Sequence, residues 1–201
     1  MIDYILDSIF SIFGKDNVVL IIYYGNKKGK DIDVFVVISG NTKYNCKHSD
    51  RLDITYVGNY WINEMINHLD PRLTDPISTG DVIYGDSKQI YQRLRKTKPS
   101  EKTTKYLKDK AVLFFQWSKI HLQNGDLRQA CDCIRFSISF YYFAEHYKIN
   151  DWLIDFLALT NQYRKELDLM KKAEKMAKQE ENLVADDVVH IINETFLLLT
   201  Q

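Results

Sequence analysis

Proline and glycine are both scarce, at 3 and 8 in 201 residues, which excludes long irregular linkers and favours regular structure. No apolar run reaches the roughly 18 residues that a membrane-spanning helix needs, so no membrane partner is expected. Net charge is absent too, since 27 basic residues balance 27 acidic ones. A chain without a global field does not draw nucleic acid or anionic lipid from a distance, and nucleic acid is not an expected partner. Cysteine is limited to Cys46, Cys131 and Cys133. Three cannot all pair, and the spacing of the last two does not fit a metal pair. Reduced thiols in a cytoplasmic protein are therefore expected. The opening MIDYILDSIFSIFGKD lacks a basic leader and carries Asp3 and Asp7, so it reads as an amphipathic helix rather than a signal peptide. No P-loop, Rossmann glycine motif, zinc motif or nucleophile elbow is present.

What is present is enough apolar sequence for a core. Hydrophobic residues make up 45%, including 13 tyrosines, 10 phenylalanines and 3 tryptophans, which sets disorder aside. The chain changes character near residue 99. Before it, Ile2, Ile5, Ile9, Phe10 and Phe13 fall at helical spacing up to Gly14, a helix closed by glycine. The runs 17–24 (NVVLIIYY), 31–38 (DIDVFVVI) and 52–57 (LDITYV) read as strands. Residues 41–50 read as a polar connection, and Asn59 as the cap of a helix holding Trp61, Ile62, Met65, Ile66 and Leu69. The segment DPRLTDPISTGDVIYGD reads as loop with a short strand at 82–84, followed by a helix capped by Asp86 or Ser87. KTKPSEK is the boundary, because Pro99 disfavours helix at Lys98 and Ser100 or Thr103 can start the next one. Beyond it the pattern predicts helices at about 101–123, 126–147, 151–178 and 184–199. Short turns between them predict an antiparallel four-helix bundle. The expected fold class is thus α+β, with a mixed sheet flanked by helices in 1–98 and a helical bundle in 99–201.

The residues that carry chemistry are Gly25-Asn26, Asp31-Ile32-Asp33 and Asp53. Side chains alternate along a strand, so Asp31 and Asp33 point one way while Ile32 and Val34 point the other. Asp53 opens a strand that could pair beside theirs, and three carboxylates at one sheet end call for a counter-ion. Magnesium, which prefers a few carboxylate oxygens plus substrate phosphates, suits that cluster. Two such ions would clamp the attacking and leaving oxygens of a phosphoryl transfer. A turn at Gly25 lets backbone N–H groups approach phosphates closely, and Lys27, Lys28 and Lys30 bring positive charge to the same turn. Asp31 and Asp33 can equally be solvated, or paired with Lys28 and Lys30.

With these residues in view, IIYYGNKKGKDIDVFVVI followed by LDITYV resembles the nucleotidyltransferase superfamily related to DNA polymerase β, over roughly residues 15–95. That family's signature is a strand, Gly-Ser, a short loop, Asp-x-Asp on the next strand and a third acid on a later strand. The resemblance implies that Asp31 and Asp33 bind metal and that Asp53 completes the site and helps deprotonate an acceptor hydroxyl. It implies that Gly25, Asn26, Lys27 and Lys28 cradle the triphosphate of ATP or another nucleotide, with Asn26 where the family has serine. The implied activity is magnesium-dependent transfer of a nucleoside monophosphate, AMP from ATP, to a hydroxyl on a small molecule or protein, releasing pyrophosphate. The alternative is a catalytically inactive relative that binds or regulates, such as an antitoxin-like partner of a toxin.

The helical half resembles the bundles that accompany small nucleotidyltransferases, either in antibiotic-modifying enzymes or in the HEPN bundles of toxin pairs. The nuclease form of the latter has Arg followed four to six residues later by His. Arg135 and His146 are too far apart for that, so the bundle is expected to wall a cleft or to serve a homodimer or toxin interface. His121, His146 and His190 are expected to be partly buried; His48, in the polar connection close before Asp53, can approach the active site but is expected to be a solvated loop histidine. Phe114, Phe115, Trp117, Phe136, Phe140, Tyr141, Tyr142 and Phe143 read as bundle core.

Overall fold

The computed structural model describes residues 1–24, 32–49, 51–147, 164–178 and 183–200, with side chains only for 168–177 in the fourth segment. The chain divides into two compact units, Met1–Lys98 and Pro99–Gln201.

The first unit is α+β. Helix α1 (Ile2–Phe13) ends at Gly14 and leads into strand β1 (Val18–Tyr24). Strands β2 (Ile32–Ile38), β3 (Asn45–Ser49) and β4 (Leu52–Gly58) follow. Then come helices α2 (Asn59–Asn67) and α3 (Pro71–Thr79), strand β5 (Asp81–Gly85) and helix α4 (Lys88–Lys96). The sheet order is β3-β4-β2-β1-β5. The β2–β4 pair is parallel and the other three pairs are antiparallel. One face of the sheet is covered by α1, whose Ile5 and Ile9 join Ile21, Val34, Val36, Ile38, Leu52 and Ile54 in one core cluster. Alternation then puts Leu20, Ile22, Phe35, Val37 and Val57, all buried, on the opposite face. There α2 lies against β4 and α3 against β1. The α3–β1 approach is close enough that a Cβ at Gly80 would sit 2.3 Å from Ile22 Cγ2.

Three expectations are corrected. Residues 41–50 are more than a polar connection, because they contain β3 at the sheet edge. Its side chains are almost all exposed, so only backbone pairing reveals it. The segment after Asp70 is helical over Pro71–Thr79 rather than loop. Pro71 sits in the first turn, where no N–H is needed, and the Asp70 carboxylate accepts from the Arg72 backbone N–H at 3.0 Å. Pro76 removes only one hydrogen bond from this short helix. Asn59 does not cap α2, whose N-cap is Gly58. Instead the Asn59 side-chain oxygen accepts from the Gly40 N–H at 3.1 Å.

Asp70 is wholly buried and takes Arg72 in a two-pronged grip, with Nε at 2.9 Å and Nη2 at 2.6 Å. The guanidinium carbon lies 4.2 Å from the centre of the Tyr44 ring. Arg72 thereby joins the start of α3 to the residue that precedes β3.

Every described element of the second unit is a helix: α5 (Glu101–Gln123), α6 (Leu127–Tyr147), α7 (Arg164–Lys178) and α8 (Ala185–Leu199). Ser100 and Thr103 form a reciprocal capping box at the start of α5. The part of the expected third helix at 151–163 lies outside the described residues. Phe115, Ile134, Ile138, Ala173, Ile191 and Leu198 belong to a common core, and Phe114 stacks on Phe140 at 5.5 Å. His146 is fully buried rather than partly so, which lowers its pKa, and it stacks on Tyr142. His190 is exposed, 3.6 Å from Glu194. Cys131 and Cys133 are buried free thiols whose pKa burial pushes up to about 11.

Asp70→Ala is expected to cost about 3–5 kcal/mol, because it removes the buried carboxylate that grips the mostly buried Arg72 guanidinium. Ser100→Ala, which removes a cap, is expected to cost about 1 kcal/mol. Urea unfolding of both variants checks the ranking, and equal losses would contradict it.

Candidate active site

Asp33 and Asp53 are each the second residue of their strand, β2 and β4, and they are register partners in the parallel pair. Their chain neighbours Ile32, Val34, Leu52 and Ile54 pack on the α1 side. Both carboxylates therefore face the other way, on neighbouring strands about 4.8 Å apart. Asp31, which precedes β2 directly, lies outside the described residues, as do Gly25, Asn26, Lys27 and Lys28. Among the described residues no group of three or more metal-ligating side chains converges.

The pairing extends the two acids into a row. On β1, Tyr24 is the register partner of Asp33, and on β3, His48 is the register partner of Asp53. At one level of the sheet the order is thus His48, Asp53, Asp33, Tyr24. The next level along the same face is Cys46, Thr55, Phe35 and Ile22. The face passes from titratable groups at the strand ends to apolar core within two residues.

From its place in the sequence, His48 is expected to be a solvated loop residue close before Asp53. The structure instead puts it on β3, with Nδ1 2.5 Å from Asp53 Oδ1. No residue motif carries that contact; it needs the register of β3. Tyr24 was hidden in the apolar run of β1, and only its place beside Gly25 and opposite Asp33 marks it. Burial raises its pKa strongly, a hydrogen bond with Thr55 offsets part of that, and the nearby charges of Asp33 and Asp75 raise it further. Tyr24 is therefore a neutral phenol at any physiological pH. Tyr44 behaves alike, held well above its ordinary value chiefly by burial.

Asp75, on α3, faces the same region. Protein crowding around its carboxyl raises its pKa, while a hydrogen bond from Thr79 lowers it. As a residue it is nonetheless exposed, so solvent screens most of the energetic consequence.

The donor set fits a hard divalent cation. Asp33 and Asp53 offer carboxylate oxygens from adjacent strands, as magnesium or manganese prefers, with no sulfur in their row. No family model matches the chain, and no curated protein does. Among solved structures it is similar to a nucleotidyltransferase-like protein from Exiguobacterium sibiricum 255-15, at 13% identity and a TM-score of 0.40. That alignment covers 100% of this chain and 75% of the other. A likeness at this level carries no argument about activity.

An acid whose pKa is raised on folding is bound more tightly to its proton in the native state. Its ionisation then costs stability as pH rises above the ordinary value, and the cost is complete above the raised one. Asp75→Asn is therefore expected to be slightly more stable than wild type at neutral pH. The margin should vanish on acidification toward the ordinary value of 3.8. Thermal midpoints across that range test this, and a margin that grows with acid would overturn it.

Proposed function

We propose that the N-terminal unit is a magnesium-dependent nucleotidyltransferase. The observation that carries the proposal is the in-register placement of Asp33 and Asp53 on one face of a parallel strand pair, with Asp31 two residues before Asp33. In this reading Asp31 and Asp33 hold the metal and Asp53 completes its coordination. Bound there, the metal would supply positive charge against the phosphate oxygens.

The protein's own residues do the rest. Gly25, Asn26, Lys27 and Lys28 cradle the triphosphate, with the asparagine amide donating where a serine hydroxyl would. An acceptor hydroxyl attacks the α-phosphorus of ATP or another nucleotide. The bond from that phosphorus to the bridging oxygen breaks, and pyrophosphate leaves. Asp53 takes the proton of the hydroxyl, a role for which its partial exposure gives access. Tyr24, kept neutral, can donate a hydrogen bond beside Asp33 without adding to the negative charge of the three carboxylates. The acceptor is a small-molecule or protein hydroxyl in a cytoplasmic setting. Charge balance speaks against a nucleic-acid end. The helical unit is read as the surface for a second copy or for a toxin partner.

The test needs no knowledge of the acceptor. Calorimetric titration of ATP with magnesium is expected to show binding by wild type and its loss in Asp33→Ala. Circular dichroism and the thermal midpoint should stay unchanged, since Asp33 makes no part of the apolar core. Where transfer to a hydroxyl can be followed, Asp53→Ala is expected to lower it by about 10²–10⁴, the worth of a positioned base. Binding and transfer that survive Asp33→Ala remove the proposal. No ATP binding by wild type would favour the non-catalytic regulatory alternative.

A further inference from the structure

Strand β3 contributes nothing to the core. Its first four side chains, Asn45, Cys46, Lys47 and His48, are exposed and Ser49 is only half-buried. Its backbone shields the edge of β4, which any strand could do. What this strand adds is a side chain at the level of the two acids. His48 stands directly across from Asp53 in the antiparallel register, with Nδ1 2.5 Å from Oδ1. A carboxylate oxygen accepts hydrogen bonds, so in the tautomer that makes this contact Nδ1–H is the donor.

The contact has little to offer stability. The side chains are 75% and 42% exposed, and exposed pairs of this kind contribute next to nothing to folding. It does fix geometry. With Oδ1 occupied, the carboxylate plane of Asp53 is held against rotation and Oδ2 remains available on the face it shares with Asp33. Carboxylates that ligate metals are commonly held by such a hydrogen bond, and losing the outer partner typically costs ~10–100-fold in metal affinity or activity.

We propose that His48 is a positioning residue for Asp53: its Nδ1–H sets the carboxylate so that one oxygen is presented to the cation and the acceptor hydroxyl. This rests on the metal-dependent reading given above. His48 touches neither substrate nor metal in it, and the effect runs wholly through Asp53.

The test uses Mn²⁺ alone as the probe, with binding followed by electron paramagnetic resonance on the full chain. Two variants separate a hydrogen-bond role from anything else the ring does. His48→Ala removes the donor, while His48→Asn keeps an N–H near the Nδ1 position and cannot exchange a proton. His48→Ala is expected to bind Mn²⁺ about 10–100-fold more weakly than wild type, with an unchanged thermal midpoint. His48→Asn is expected to recover most of the affinity. Where turnover can be followed, kcat should track the same order while KM for the acceptor stays put. Wild-type affinity in His48→Ala overturns this proposal alone, as does equal loss in both variants. Absence of Mn²⁺ binding by the wild-type chain overturns the metal-dependent reading itself, and this proposal with it.

Discussion

The in-register parallel pairing of β2 with β4 is the constraint on which the candidate site depends. It runs without a shift from Ile32 and Leu52 to Ile38 and Gly58. A one-residue slip in either strand would turn its whole side-chain set to the other face. What forbids the slip is the α1-facing core, where Ile32, Val34, Val36 and Ile38 lie beside Leu52, Ile54 and Tyr56. Each buried aliphatic side chain contributes about 1.5–3 kcal/mol. Two unit charges ~5 Å apart in a water-like medium repel by less than about 1 kcal/mol. Packing on one face therefore dictates the register, and the acids on the other face are brought together as a by-product that repulsion is too weak to undo.

That asymmetry explains how the row of polar groups is graded. Asp53 and His48 stand at the solvated edge, with side chains 42% and 75% exposed. Tyr24 stands at the other end of the row, where burial keeps it un-ionised beside Asp33. Two residues further along the strands, Phe35 is wholly buried, and Thr55, 8% exposed, is the last polar group on that level before the core. The acids thus occupy the mouth of the sheet, partly exposed to water and close enough to the core to be held by it.

Much of this was legible in the residues. Continuous β-branched runs marked β1, β2 and β4, and the alternation of Ile32, Asp33 and Val34 set the direction of Asp33. Capping signals at Ser100 and the glycine at Gly125 bounded α5 and α6. Two elements were not legible, for different reasons. Helix α3 holds two prolines, the residue most readily taken as a helix breaker, and its start is fixed by the Asp70 side chain rather than by an apolar stripe. Strand β3 has no apolar periodicity because neither of its faces is buried, so nothing in Asn-Cys-Lys-His-Ser distinguishes it from a turn. That His48 can approach the site was legible from its nearness to Asp53 in the sequence, but the contact itself was not, since a cross-strand pair is a property of register and not of spacing.

If β3 lacks a core-facing side, its register must be fixed by other means. Part comes from the ladder to β4, and part from the Gly58 N–H, which donates to the Thr42 carbonyl at 2.7 Å just upstream of the strand. The remainder runs through Tyr44, the residue before β3, whose ring lies against the Arg72 guanidinium that buried Asp70 grips with two hydrogen bonds. A buried ion pair is weak evidence for stability, because desolvation offsets much of the attraction. Here its geometric consequence is clearer than its energetic one. A guanidinium fixed at two of its three nitrogens makes a rigid platform, and an aromatic ring resting on it cannot slide by a residue without losing the contact. The alternation that keeps Tyr44, Cys46 and His48 in step then delivers the imidazole opposite Asp53. The short helix that composition disguised as a loop is thus joined, through Tyr44, to the histidine beside the carboxylate row.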